Sequence, residues 1–285
     1  VHVFNLKICI LLSIFCGLFK VCLVQTIHSF RISEEEIQKK SLFFKFLLKK
    51  FAKIIVVNKD IEKRLIKIEP SIQRKTLVLP AFIPYPKNYE KNRSIEYINN
   101  IGAKSFLEEH DIIIVGNAYK IVFYNDEDLY GLDLCVEAIK QLRHISNFSV
   151  GFIFFLPQIG EIEYYKKINA DIVLSGIQED FLFVTKNVPL VPMFDFADIF
   201  VRPTNSDGDA LSLREALYAG IPSIASDVVE RPQGTILFKN RDSSDYIAKL
   251  LQTINNIDEE KRKTMSYSKA YDDFSSKYSK IYANI

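Results

Sequence analysis

The stretch from Ala197 to Asp227, ADIFVRPTNSDGDALSLREALYAGIPSIASD, allows few folds. Asp198 to Val201 form a compact β-rich run, and Pro203, Thr204, Asn205, Ser206, Asp207 and Gly208 are loop formers in succession. Leu211, Leu213, Ala216 and Leu217 then recur at helical spacing, until Gly220 supplies a left-handed stop and Pro222 prevents continuation. Ile221 to Ser226 reads as the next buried strand. A strand, crossover helix and strand in this order make a βαβ unit, which belongs to a parallel sheet covered by helices.

In open parallel sheets, ligands bind beyond the carboxyl ends of the strands, where loops enter helix N-termini. Gly208, Asp209, Ala210, Leu211 and Ser212 are therefore candidates to present backbone amides to a diphosphate. If the helix starts near Asp209, Asp207 lies on the loop rim. Glu215 then lies about one and a half turns in, at ~3.6 residues per turn, where it could take two ribose hydroxyls while Asp207 faces a sugar. An acidic loop before an amphipathic helix is also a common solvated feature; the whole string is more specific than either acid alone. Asp207-Gly208-Asp209 also spells a metal-binding acidic pair, but that reading expects the pair after an N-terminal nucleotide-binding half.

Asp207-Gly208-Asp209-Ala210-Leu211-Ser212-Leu213-Arg214-Glu215-Ala216, followed by Ala219-Gly220-Ile221-Pro222, resembles the signature of family 4 glycosyltransferases. The likeness is closest to capsule and surface-polysaccharide members. It departs in having Asp207 where Glu is usual and Asp209 where an aromatic is usual. The resemblance implies an α/β protein of two Rossmann-like doubly wound domains (GT-B). It further implies transfer of a sugar from a nucleotide-sugar to a surface glycan or lipid-linked acceptor, retention of anomeric configuration, and no tightly bound metal.

Composition is that of an ordinary globular protein: 48% hydrophobic, 25% charged, net charge +2. Such a balance argues against a dedicated nucleic-acid binder. Cys9, Cys16, Cys22 and Cys135 lack metal-ligand spacing and read as reduced thiols of a cytoplasmic protein. The apolar run Ile8 to Val24 is broken by Lys20 after roughly a dozen residues, short of the ~20 a span requires. Strand Val1 to Phe4, helix Leu6 to Phe19 and strand Val21 to Ile27 is the favoured reading, with a membrane segment the alternative.

His28 then lies just past a strand's carboxyl end, and the resemblance makes it a catalytic candidate beside Asp207. Glu34 to Lys53 reads as a helix with acids leading and lysines trailing. Phe43, Phe44, Leu47, Leu48 and Phe51 form its apolar stripe. Its basic side, within residues 36–53, is either a plain surface or a contact for anionic lipid at the inner face of the plasma membrane. Ile54 to Asn58, Lys59 to Ile66 and Thr76 to Leu79 follow as strand, helix and strand, and Pro84 to Ser94 as a linker.

Asp111 to Val115 reads as a strand ending at Gly116-Asn117, where a glycine would let a phosphate or base approach the backbone. The resemblance places an arginine after this glycine and a lysine before the next helix, to neutralise the diphosphate. Here Asn117 and Tyr130-Gly131 stand in those places, leaving Lys120 or Arg202 to supply the charge. The expected domains are residues 1–93, 94–264 and a returning helix at 265–285. By the resemblance, two or three βα units of about 30 residues or more per βαβ would precede Val1, so weak donor binding and poor turnover are expected. A nucleotide-sugar-binding protein without catalysis and a membrane-anchored interaction protein are the alternatives.

Overall fold

In the computed structural model, residues 2–3, 23–28, 41–80, 82, 84–85, 91–269 and 280 are described. The chain folds as two units, one of Val1–Ile83 with Asp207–Asp209 and Phe274–Ile285, the other of Pro84–Ser206 with Ala210–Asp273.

The first unit has a four-stranded sheet in chain order, β1 (His2–Val3), β2 (Val24–Ile27), β3 (Lys53–Val56) and β4 (Thr76–Val78), every pair parallel. Helix α1 (Ser41–Lys50) joins β2 to β3; α2 (Lys59–Ile68) and a 3-10 helix (Pro70–Lys75) join β3 to β4. Phe44, Leu48 and Phe51 pack with Ile54, Val56, Ile61 and Leu65 in one core. Asn58 starts α2 by accepting from Ile61 N at 2.8 Å, which removes one unpaired amide from the helix start. The expected strand, helix and strand over residues 54–79 are present, with α2 running to Ile68. The helix expected at Glu34 to Lys53 ends at Lys50, because Ala52 N already donates to Leu23 O and Lys53 opens β3. Its first part, the helix expected at Leu6 to Phe19 and most of the returning C-terminal helix lie outside the described residues. Among the described residues no helix is long and apolar enough to cross a membrane.

The second unit opens with α3 (Lys91–Ile101), which begins inside the expected linker, and α4 (Lys104–Glu109). Its sheet has six parallel strands: β5 (Ile112–Asn117), β9 (Val150–Phe155), β11 (Phe181–Val184), β12 (Ile199–Arg202), β13 (Ser223–Ser226) and β14 (Thr235–Phe238). Short strands β6 (Lys120–Ile121), β7 (Phe123–Tyr124), β8 (Glu127–Asp128) and β10 (Gln158–Gly160) make two small ribbons beside it. The spatial order is β11-β9-β5-β12-β13-β14. The chain thus builds outward from β5 to one edge, then returns to β12 and builds to the other.

Both faces of such a sheet are covered, so its strands are apolar throughout rather than alternating. All six residues of β9 are buried, and Phe152 stacks on Phe181 with centroids 5.0 Å apart. The covering helices are α5 (Leu132–Ile145), α6 (Ile162–Leu174), α7 (Leu211–Ala219), α8 (Ser243–Asn255) and α9 (Ile257–Ser268). On α5, Leu132, Cys135, Val136, Ile139 and Leu142 fall on one buried face at helical spacing. Gly220 ends α7 at φ 85°, its N–H reaching Ala216 O and Leu217 O, as the sequence requires.

Gly131, at φ 67°, is the turn into α5, and a Cβ there would lie 2.3 Å from Pro203 O. Neither the left-handed conformation nor that approach tolerates a side chain. Gly131→Ala should lower stability by more than about 1 kcal/mol, read as a fall in denaturation midpoint with unchanged slope; an unshifted midpoint would contradict this packing.

Candidate functional site: the carboxyl edge of the six-stranded sheet

Strand order reverses between β5 and β12, where Val201 pairs with Gly116 and Ile199 with Ile114. At such a reversal the loops leaving the two strands diverge to opposite faces and open a crevice at the carboxyl ends. Gly116, Asn117 and Arg202 stand at those ends. Strand β5 runs two residues further than expected, because Asn117 pairs with Phe155 of β9. Gly116 also meets a packing demand beyond the one read in the sequence. The space its Cβ would take is bounded by the rings of Phe154 (3.2 Å) and Phe152 (3.3 Å), so the glycine accommodates core aromatics.

Arg202 is partly buried. Its Nη1 donates to Asn117 O at 3.2 Å, and its guanidinium lies 5.1 Å from the centroid of Tyr130. This arginine therefore stands beside both residues that occupy the expected cation positions. The side-chain oxygen of Asn117 is buried with no hydrogen-bond partner among the described residues, and so is that of Asn205 in the loop after β12. Polar atoms left in that condition cost about 1–3 kcal/mol each until something meets them. Lys120 is exposed on the β6–β10 ribbon.

Helices α5 and α7 follow the two strands at the reversal, and their N-termini differ. At α5 the start is already filled: Asp128, 3% exposed, accepts from Tyr130 N (2.9 Å) and Leu132 N (2.8 Å), and Tyr164 OH donates to it at 3.3 Å. Burial raises its pKa, while the amide bonds work in the opposite direction. Arg241 closes this corner with two bonds to Asp133. At α7 no side chain caps the start; Ala210, extended at φ −74° and ψ 99°, occupies the cap position. This N-terminus keeps the capacity to accept an anion.

Helix α7 starts at Leu211, two residues later than expected. Gly208 O accepts from Asn58 Nδ2 and Gly208 N donates to Asp207 Oδ1 (3.0 Å), which keeps this segment in a loop. Asp207, Gly208 and Asp209 group with the first unit, as does His28, exposed on the bend after β2. Ala210 and Ser212 are buried, and Leu211 is half exposed. Glu215 becomes the fifth residue of α7. Its carboxyl is raised in pKa by burial alone, and among the described residues no ion pair holds it.

Sequence reading missed two parts of this edge. Arg231, after β13, donates through Nε to Ser226 O (2.9 Å) and through Nη2 to Thr204 Oγ1 and Ser226 Oγ (both 3.1 Å). It ties the loops leaving β12 and β13 together. Arg231-Pro232 belongs to no motif, so only the fold reveals it. Asp128 was missed as well, although an acid three residues before a glycine turn and an apolar run is a readable helix-start signal. A separate cavity of about 230 Å3, lined by Tyr85, Asp195, Tyr218, Gly220 and Met265 among others, lies at the other end of α7. Among the described residues no group of three or more His, Cys, Asp or Glu is placed to hold a metal ion.

Residues 109–256 match a family model described as glycosyl transferases group 1. The chain belongs to this family. Similar solved structures include HepE (Alr3699) of Anabaena in complex with UDP, at 12% identity and TM-score 0.76, covering 100% of this chain and 78% of that one. A glycosyltransferase of Rickettsia africae is 12% identical with TM-score 0.69, covering 98% and 80%. Sucrose-phosphate synthase of Thermosynechococcus elongatus is 14% identical with TM-score 0.66, covering 95% and 70%. A search of curated protein sequences finds no match. These likenesses give the transferase the GT-B fold, two Rossmann-like α/β domains.

Burial of Glu215 has a consequence for pH. Its folded pKa lies above the ordinary glutamate value, so the folded state binds the proton more tightly than the unfolded chain. Stability from this group is present below the unfolded pKa and is lost as pH rises through the folded one. Denaturant midpoints of the wild type should therefore fall across that window, and those of Glu215→Gln should fall less. Parallel pH profiles for the two would show that the carboxyl is not desolvated.

Proposed function

We propose that this transferase moves a sugar from a nucleoside-diphosphate sugar, a UDP-sugar in the first instance, to a glycan or lipid-linked acceptor of a surface polysaccharide. Transfer is cytoplasmic and retains the anomeric configuration. The observation that carries this reading is Glu215, a half-buried carboxyl one turn inside an uncapped helix at the reversal of the sheet. It is costly to keep there in water. Two hydroxyls of a ribose would offset that cost, and the HepE complex with UDP is an instance of a related fold holding such a nucleotide.

In this reading the amides at the start of α7, around Ala210, Leu211 and Ser212, take the diphosphate, with Arg202 as the nearby cation. Asn117 offers its unpartnered side-chain oxygen to the nucleotide. As the diphosphate leaves, positive charge spreads over the sugar ring. Fixed amide dipoles and a guanidinium stabilise the departing charge without reorganising. Asp207 orients the donor sugar, with Gly208 and Asp209 completing its loop, and His28 keeps the catalytic role that the resemblance implies. No tightly bound metal has a part in this scheme.

A second reading, a nucleotide-sugar-binding protein without turnover, draws on Asn117 and Tyr130 standing where cations are expected. Calorimetric titration with UDP and with UDP- and GDP-sugars, beside an assay of released UDP, separates the two. The transferase reading expects UDP binding and sugar-dependent release of UDP; binding without release supports the second. Glu215→Gln should weaken UDP at least about tenfold, the value of one hydrogen bond to a charged group. Undiminished affinity in that variant would remove Glu215 from the site.

A further inference from the structure

Helix α1 carries two apolar faces. Phe44, Leu47 and Leu48 are buried in the first unit, as an amphipathic helix requires. Leu42 and Phe46, one turn apart on another side, are 84% and 53% exposed. Single exposed apolar residues are ordinary, but this pair is set among cations. Lys49 and Lys50 are exposed and Lys45 partly so, and Lys50 Nζ lies 5.1 Å from the centroid of the Phe46 ring. Lys75 adds a further cation at the end of the helix, donating to Lys49 O (2.8 Å) and Phe51 O (2.7 Å). The acid beside them is Glu69, 3.3 Å from Lys49.

The near-neutral total charge conceals a segregation. Residues 41–80 hold ten lysines and arginines and three acids, out of 37 and 35 in the whole chain, so the remainder is net acidic. A local field of this sign draws an anionic partner to the first unit in particular.

We propose that the exposed face of α1 docks on an anionic lipid bilayer, with Leu42 and Phe46 among the acyl chains and Lys45, Lys49 and Lys50 at the level of the phosphates. This inference does not rest on the donor site. The sequence left a basic face open between plain surface and lipid contact; the structure adds an exposed apolar pair, which favours the lipid. A nucleic acid would satisfy the lysines and leave Leu42 and Phe46 in water. A bilayer takes both, because lysine stems reach upward while apolar side chains enter the acyl boundary.

Co-sedimentation tests the proposal, using the full chain with vesicles of phosphatidylcholine alone and of phosphatidylcholine with phosphatidylglycerol. The protein should pellet with the mixed vesicles, less with the neutral ones, and less at high salt. Leu42→Ser with Phe46→Ser should cut partitioning more than about tenfold, the loss expected from withdrawing two large apolar side chains. Lys45→Gln with Lys50→Gln should cut it about fivefold for each lysine. Leu42, Phe46 and Lys50 are exposed and Lys45 partly so, and unchanged thermal melts would show that the fold survives. Retention on heparin should drop for the lysine variant and hold for the apolar one. Equal pelleting on both vesicles, no pelleting, or pelleting indifferent to Leu42→Ser with Phe46→Ser overturns the proposal. Heparin retention with no lipid binding overturns it in favour of a nucleic-acid partner.

Discussion

Val201 lies beside Gly116 in the middle of a parallel sheet, and the chain leaves that pairing in opposite directions. Much of the second unit follows from it. Crossovers on one side lead through β9 to β11, and on the other through β13 to β14. Their loops must part above the shared strand ends. Apolar strands buried on both faces hold the pairing in place, and the phenylalanines of β9 set how closely the layers approach. Gly116 is small for their sake, a packing demand that the sequence alone does not show.

The polar chemistry at this edge is unevenly satisfied, and that unevenness gives the site its character. Asp128 supplies the α5 start with a carboxylate from the chain itself, and the pair of Arg241 with Asp133 encloses it. Among the described residues, the start of α7 has no such cap, Asn117 and Asn205 keep unpartnered oxygens, and Glu215 is half-buried without a countercharge. Each is a local cost to the fold. Costs of this kind gathered along one sheet edge mark a place where a polar ligand would restore stability, in keeping with membership of the glycosyl transferases group 1 family.

The parts of this edge written in local chemistry were legible in the sequence. Gly220 followed by Pro222 can end a helix and open a strand in few other ways, and the βαβ unit around α7 is where it was expected. Arg202, one of two cations that the sequence offers for this edge, stands beside Asn117. Helix α7 starts late because the bond from Asn58 to Gly208 O spans 150 positions, beyond the reach of any local rule. Arg231 escaped for the same reason: its partners Thr204 and Ser226 become neighbours only when β12 and β13 pair. The β6–β10 and β7–β8 ribbons are too short to leave a periodic signal. Glu215 was legible as a residue but not as a half-buried carboxyl, since burial depends on what packs around the helix.

Hydrogen–deuterium exchange of the protein with and without saturating UDP tests most directly whether the crevice at the β5–β12 reversal is where a nucleotide is held. The account predicts slowed exchange gathered at the ends of β5 and β12, in the loop after Arg202 and along the first turn of α7. Protection confined to the cavity beside Tyr85 and Gly220, at the far end of α7, would contradict it.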